Sequence, residues 1–232
     1  MCFSATASFA ASGVIGAVGI ATLVHVRQPR AILFAAVPLL FALHQLVEGF
    51  VWLGLEGRIG PVATDHFVFL YLLYAKGILP LLIPLAVALM EPAGWRRLAL
   101  AALTLVGAIL CGWILWSVLA WPSSAVLEHH SIRYHNARTG GLFIPAVYVL
   151  TTCGALLLSG HRIVRWYGLL NVAGVTLVLL VQGYAFASVW CFYAAVLSVI
   201  LYRQFSHRDI DVLHPNRRLA KAAGWLRMPT WR

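Results

Sequence analysis

Seven apolar segments, at about 5–25, 31–55, 66–90, 98–120, 141–159, 166–183 and 187–203, take up most of this chain. A membrane-crossing helix needs roughly 20 such residues, so each segment is long enough to span, the last two only just. Strands of a membrane barrel would need apolar and polar residues alternating at period two, and no segment shows that pattern. Helices are therefore the expected element. The chain is 62% hydrophobic and 10% charged, against about 45–50% and about 25% in soluble domains. That composition excludes a water-soluble fold, and its wealth of branched and aromatic side chains excludes disorder. The expected fold class is an all-α integral membrane protein, a seven-transmembrane-helix bundle over residues 1–203 with a basic tail over 204–232. Within 232 residues, no separate soluble domain fits.

The basic residues set the orientation. Arg27, Arg30, Arg96, Arg97, Arg162 and Arg165 fall in the first, third and fifth loops, and seven more Lys and Arg lie from Arg203 to Arg232. The second, fourth and sixth loops hold only Arg58, Arg133 and Arg138. Thirteen against three puts the N-terminus outside and the C-terminus in the cytoplasm. The first span does not read as a cleaved signal peptide, because its charges follow rather than precede it. Trp52, Trp116, Trp121 and Trp190 then mark the outer boundary, and Trp95 and Trp166 the inner one.

A net charge of +10 reads here as topology, not as a nucleic-acid surface. Between Arg217 and Arg227, Leu219, Ala222, Ala223 and Leu226 share one helical face, while Arg217, Arg218, Lys221 and Arg227 take the others. This predicts a short interfacial amphipathic helix that meets anionic lipids at the cytoplasmic face. The competing reading is a docking tail for other membrane subunits.

An ionisable side chain inside a span costs about 2.5–3.5 kcal/mol on insertion scales, so each needs a reason. The second span carries His44, Gln45 and Glu48; their spacing puts His44 and Glu48 on one face with Gln45 alongside. The third carries Lys76, the only lysine within a span. Counted from the outer boundary at about 1.5 Å per residue, Glu48 lies about 10 Å deep and Lys76 about 15 Å, so a Glu48–Lys76 pair is expected. Pro80 offers no N–H to the carbonyl of Lys76, nor Pro84 to that of Pro80, which predicts a bend beside the ammonium. A plain buried ion pair beside a proline kink accounts for the same residues.

More candidates gather at the outer end. Cys2 and Ser4 begin there, Ser188 and Cys191 open the last span, and His129, His130 and Tyr134 lie in the longest outer loop. Histidine, cysteine and carboxylate bind transition metals, so His129, His130, Cys2 and Glu48 are candidate ligands. No compact ligand motif is present, and a solvated histidine loop is the simpler account. A Cys2–Cys191 disulfide is compatible with the oxidising side, but four cysteines allow three pairings and sequence does not choose. Cys111 and Cys153 read as packing residues.

The opening Met1-Cys2-Phe3-Ser4-Ala5 resembles an uncharacterised family of bacterial multi-span membrane proteins that begin MCFSA. The resemblance continues in Glu48-Gly49-Phe50-Val51-Trp52, in His129-His130-Ser131-Ile132-x-Tyr134 and in Phe186-Ala187-Ser188-Val189-Trp190-Cys191-Phe192. It implies a bacterial inner-membrane protein with no established activity or cofactor. All four motifs fall at the expected outer face, which suggests one composite site. The family usually carries glutamine where this chain has His44, a departure that weakens a metal site resting on that residue. Ceramidase-like and adiponectin-receptor-like hydrolases also have seven spans, but their paired last-span histidines are missing. The last-span lysine of retinal-binding proteins is missing too.

Four functions compete. One is an outward-facing polar, thiol–histidine site for a metal, cofactor or small ligand. Another is an accessory subunit of a larger membrane complex. A third is a membrane enzyme using Glu48 as acid/base or Cys2 as nucleophile, for which no nucleophile–base pair is recognisable. Transport is disfavoured, since no inverted repeat is visible and seven spans do not halve.

Overall fold

The computed structural model describes residues 4–128, 131–139, 143–182 and 197–206. They are mostly helical: α1 (Ala5–Val24), α2 (Ile32–Ala35), α3 (Val37–Leu55), α4 (Pro61–Leu72), α5 (Leu79–Met90), α6 (Trp95–Ala120), α7 (Phe143–Leu158) and α8 (Arg162–Gln182). Residues 197–206 are helical as well. Four stretches are long and apolar enough to cross a membrane: Ala5–Val24, Pro29–Leu55, Pro61–Met90 and Trp95–Ala120. They match the first four apolar segments, with the second starting two residues earlier, and the third and fourth further still, than hydropathy alone places them. Pro61 and Trp95 explain the two larger differences. Proline suits the first turn of a helix, where its missing N–H would have no partner, and Gly94 at φ 151° lets the chain swing directly into α6.

Small residues let α1 lie close along α3. Ser12 Oγ donates to the Ala42 carbonyl at 2.8 Å, and a Cβ on Gly19 would come within 2.7 Å of Leu39 Cα. Close backbone approach through small residues is how helices associate where lipid removes the hydrophobic incentive. The chain reverses after α3 through Gly57 at φ 72°, with Arg58 N–H donating to Leu53 O and Gly57 N–H to Gly54 O. These paired bonds satisfy the last carbonyls of the helix.

Between α4 and α5, Leu73–Ile78 forms a π-helical turn. Leu79 N–H reaches back five residues to Tyr74 O, because Pro80 follows with no N–H and a ring that crowds the Lys76 carbonyl. The bend expected around Lys76 thus takes the form of a widened turn. Helices α5, α6 and α7 pack together, and α8 packs on α7. Glu91, after α5, fastens the end where α5–α6 and α7–α8 turn: its carboxylate accepts Gly160 N–H at 3.0 Å and Ser159 Oγ at 3.4 Å.

The long segment between α6 and α7 is more than a loop. Strands β1 (Ser123–Glu128) and β2 (Ser131–Asn136) pair as an antiparallel hairpin, Ser123 opposite Asn136 and Glu128 opposite Ser131. Glu128 and Arg133 form an ion pair at 2.9 Å. Asn136 clamps the hairpin to the end of α6, its amide donating to Ser117 O at 3.1 Å and Ser123 Oγ at 3.0 Å. The hairpin packs on α3 and α4, so it closes the end of the molecule at which α3 ends and α4 begins.

Candidate functional site

His44, Gln45 and Glu48 share the buried face of α3, at 2%, 1% and 0% exposure. Gln45 Nε2 donates to Glu48 Oε2 at 2.9 Å. The His44 ring lies against two tyrosines from the α4 side, with centroids 4.3 Å from Tyr71 and 4.7 Å from Tyr74. Tyr71 in turn stacks on Tyr134 of the hairpin at 4.0 Å, nearly parallel. Phe41 meets Tyr74 edge-on. An aromatic ladder therefore runs from α3 through α4 to β2, with an imidazole as its middle rung.

Several polar atoms around this cluster are buried without a hydrogen-bond partner among the described residues. Among the described residues neither ring nitrogen of His44 has a hydrogen-bond partner, and the same holds for Trp52 Nε1, Ser8 Oγ and Ser131 Oγ, all buried. Trp52 lies one turn beyond Glu48 on the same face of α3. Phe9 packs on Gly49, and that register sets Ser8 beside the same stretch. Native proteins leave few buried polar atoms unsatisfied, and each exception calls for an explanation.

Among the described residues no direct ion pair joins Lys76 to Glu48. Lys76 Nζ donates to Thr139 Oγ1 at 3.2 Å, just past the hairpin. The expected pairing assumed that neighbouring spans supply each other's partners, whereas the returning hairpin brings its own. A double-mutant cycle will read this. Lys76→Met and Thr139→Val should couple by about 1.5–3 kcal/mol, as for a charged hydrogen bond. Lys76→Met and Glu48→Gln should add to within about 0.5 kcal/mol. Unfolding by denaturant in detergent micelles measures both.

Of the other residues singled out in the sequence, Ser4 caps α1, its Oγ accepting Ala7 N–H at 3.2 Å, which is a structural role. Tyr134 belongs to the aromatic ladder. Cys2, His129, His130, Ser188 and Cys191 lie outside the described residues, as does the interfacial helix expected at 217–227. Among the described residues no group of three or more histidines, cysteines and carboxylates is placed to hold a metal; Cys111 and Cys153 are free thiols. Tyr71 and Tyr74 are the residues that sequence reasoning passed over. Their spacing of three on an apolar segment was the available signal, and it looks like ordinary packing until His44 is found between them.

A family model described as a family of unknown function (DUF6629) matches residues 1–215. No curated protein and no solved structure matches the chain.

Proposed function

The chain belongs to this family of unknown function, and we propose that it is a seven-span bacterial inner-membrane protein that binds a small polar ligand at the His44–Glu48 cluster. In this reading the N-terminus and the hairpin face outward, the C-terminus is cytoplasmic, and the ligand enters from outside. The tail over 204–232 rests on anionic lipid. The distribution of Lys and Arg supports the orientation, and a reporter fused after Arg232 should be active in its cytoplasmic form only. Activity solely in the periplasm would overturn it.

The observation that carries the binding reading is the unsatisfied His44 imidazole. A neutral imidazole offers one donor and one acceptor, and here both are buried with no partner among the described residues. A ligand carrying hydroxyl or amide groups, which both donate and accept, would satisfy them, with the Glu48 carboxylate and Gln45 beside it to fix its orientation. The orphaned Trp52 Nε1 and Ser131 Oγ offer further contacts at the same end. Cys2, His129, His130 and Cys191 are the residues by which the site would extend to hold a metal ion.

The test combines three measurements on purified protein: metal content as isolated, thermal unfolding against a panel of transition-metal ions and small polar solutes, and native mass. The reading expects at least one solute or metal to raise the melting temperature of the wild type and not of His44→Phe. A protein that carries no metal, responds to nothing in the panel and runs only in complex with other membrane chains would be an accessory subunit instead.

A further inference from the structure

A groove of about 440 Å³ lies between α6 and α7, away from the His44 cluster. Its walls include Val106, Ile109 and Trp113 from α6 and Ile144 and Val147 from α7, and Arg138 stands at its rim. The α6 residues recur at three- and four-residue spacing, so they form one stripe. Ile109 is 66% exposed and Trp113 45%, although α6 is among the helices fit to cross a membrane. In a bilayer such a stripe faces lipid. Trp113 lies about 10 Å below the hairpin end of α6, at about 1.5 Å per residue, which sets the groove within the hydrocarbon of that leaflet.

Arg138 makes this more than a greasy surface. Its guanidinium lies 4.9 Å over the ring of Trp121, at the point where α6 leaves the expected hydrocarbon. Among the described residues no carboxylate pairs with it. A cation fixed at interface depth above an apolar groove matches a phospholipid, with its phosphate at the guanidinium and one acyl chain between α6 and α7. The volume falls within the usual range for small-molecule sites, about 300–1,000 Å³. We infer that this groove is a specific phospholipid site, with Arg138 reading the phosphate and the α6–α7 stripe holding a chain.

Native mass spectrometry of the full chain in mild detergent tests this with two lipids of identical chains, phosphatidylglycerol and diacylglycerol. Phosphatidylglycerol should stay bound about tenfold more strongly than the phosphate-free lipid, and Arg138→Gln should remove about that factor, as expected for losing a charge-assisted hydrogen bond. Arg133→Gln, which changes an arginine already paired with Glu128, should leave retention unchanged. Val147→Phe should narrow the groove between α6 and α7 and weaken lipid retention. Equal retention of the two lipids, or equal loss in the Arg138 and Arg133 variants, would overturn the inference. So would a second protein chain held by the wild type and released by Val147→Phe. Arg138 is exposed, so its arm remains readable even if Val147→Phe does not fold.

Discussion

Gly107→Ala should destabilise the protein by about 3 kcal/mol, at the upper end of what overpacking a core costs, and lower the yield of folded protein in the membrane. A Cβ at Gly107 would run into the Pro80 carbonyl oxygen and lie 2.9 Å from Leu81 Cα. These are backbone atoms of a neighbouring helix, so no side chain can swing aside. The collision follows from the sequence of α5. Pro84 has no N–H to offer the Pro80 carbonyl, and that carbonyl is the one directed at α6. Gly112, five residues along on the same helix, is the control. A Cβ there meets nothing within 4 Å, so Gly112→Ala should stabilise by about 0.5–1 kcal/mol through reduced backbone entropy. Denaturant unfolding in micelles reads both. Equal effects of the two substitutions would mean that α6 does not approach Pro80 so closely.

The same pair of prolines shows how far the sequence could be read. Pro80 and Pro84 announce a disturbed helix around Lys76, because a missing N–H is a local property. The form of the disturbance, a π-helical turn over Leu73–Ile78, depends on what packs beside it. The buried face of α3 was legible for the same reason, since helical periodicity alone aligns His44 with Glu48. The partner of Lys76 was not legible. Thr139 comes from a segment 63 residues away, carried in by a hairpin whose six-residue strands leave little trace in a hydropathy window. Strand 123–128 has too few alternating positions to stand out, and its docking rests on Asn136, a residue that reads as an ordinary turn former. The aromatic ladder was hidden in the same way. Tyrosines in an apolar segment suit almost any interface, and only the three-dimensional register sets Tyr71 between His44 and Tyr134.

His44→Phe should raise the stability of the ligand-free protein by about 1–3 kcal/mol, the cost of keeping an unsatisfied polar group buried. Most core substitutions destabilise, so the sign itself is diagnostic. Phenylalanine keeps an aromatic ring between Tyr71 and Tyr74, now 4.3 Å and 4.7 Å from the imidazole, and removes both orphaned nitrogens. His44→Ala separates the two contributions. It removes the nitrogens as well, but empties the space beside the tyrosines, so the roughly 3–5 kcal/mol of an aromatic-to-alanine change, less the roughly 1–3 kcal/mol recovered, should leave a net cost of about 2 kcal/mol. A residue kept only for packing would be at least as well served by phenylalanine. Retaining an imidazole there trades stability for an interaction that none of the described residues supplies. The stabilised His44→Phe protein should therefore lose the thermal shift that ligand gives the wild type. A His44→Phe variant less stable than wild type would mean that the imidazole already has its partners. The case for a binding site at this position would then fall, while the aromatic ladder would stand as a structural feature.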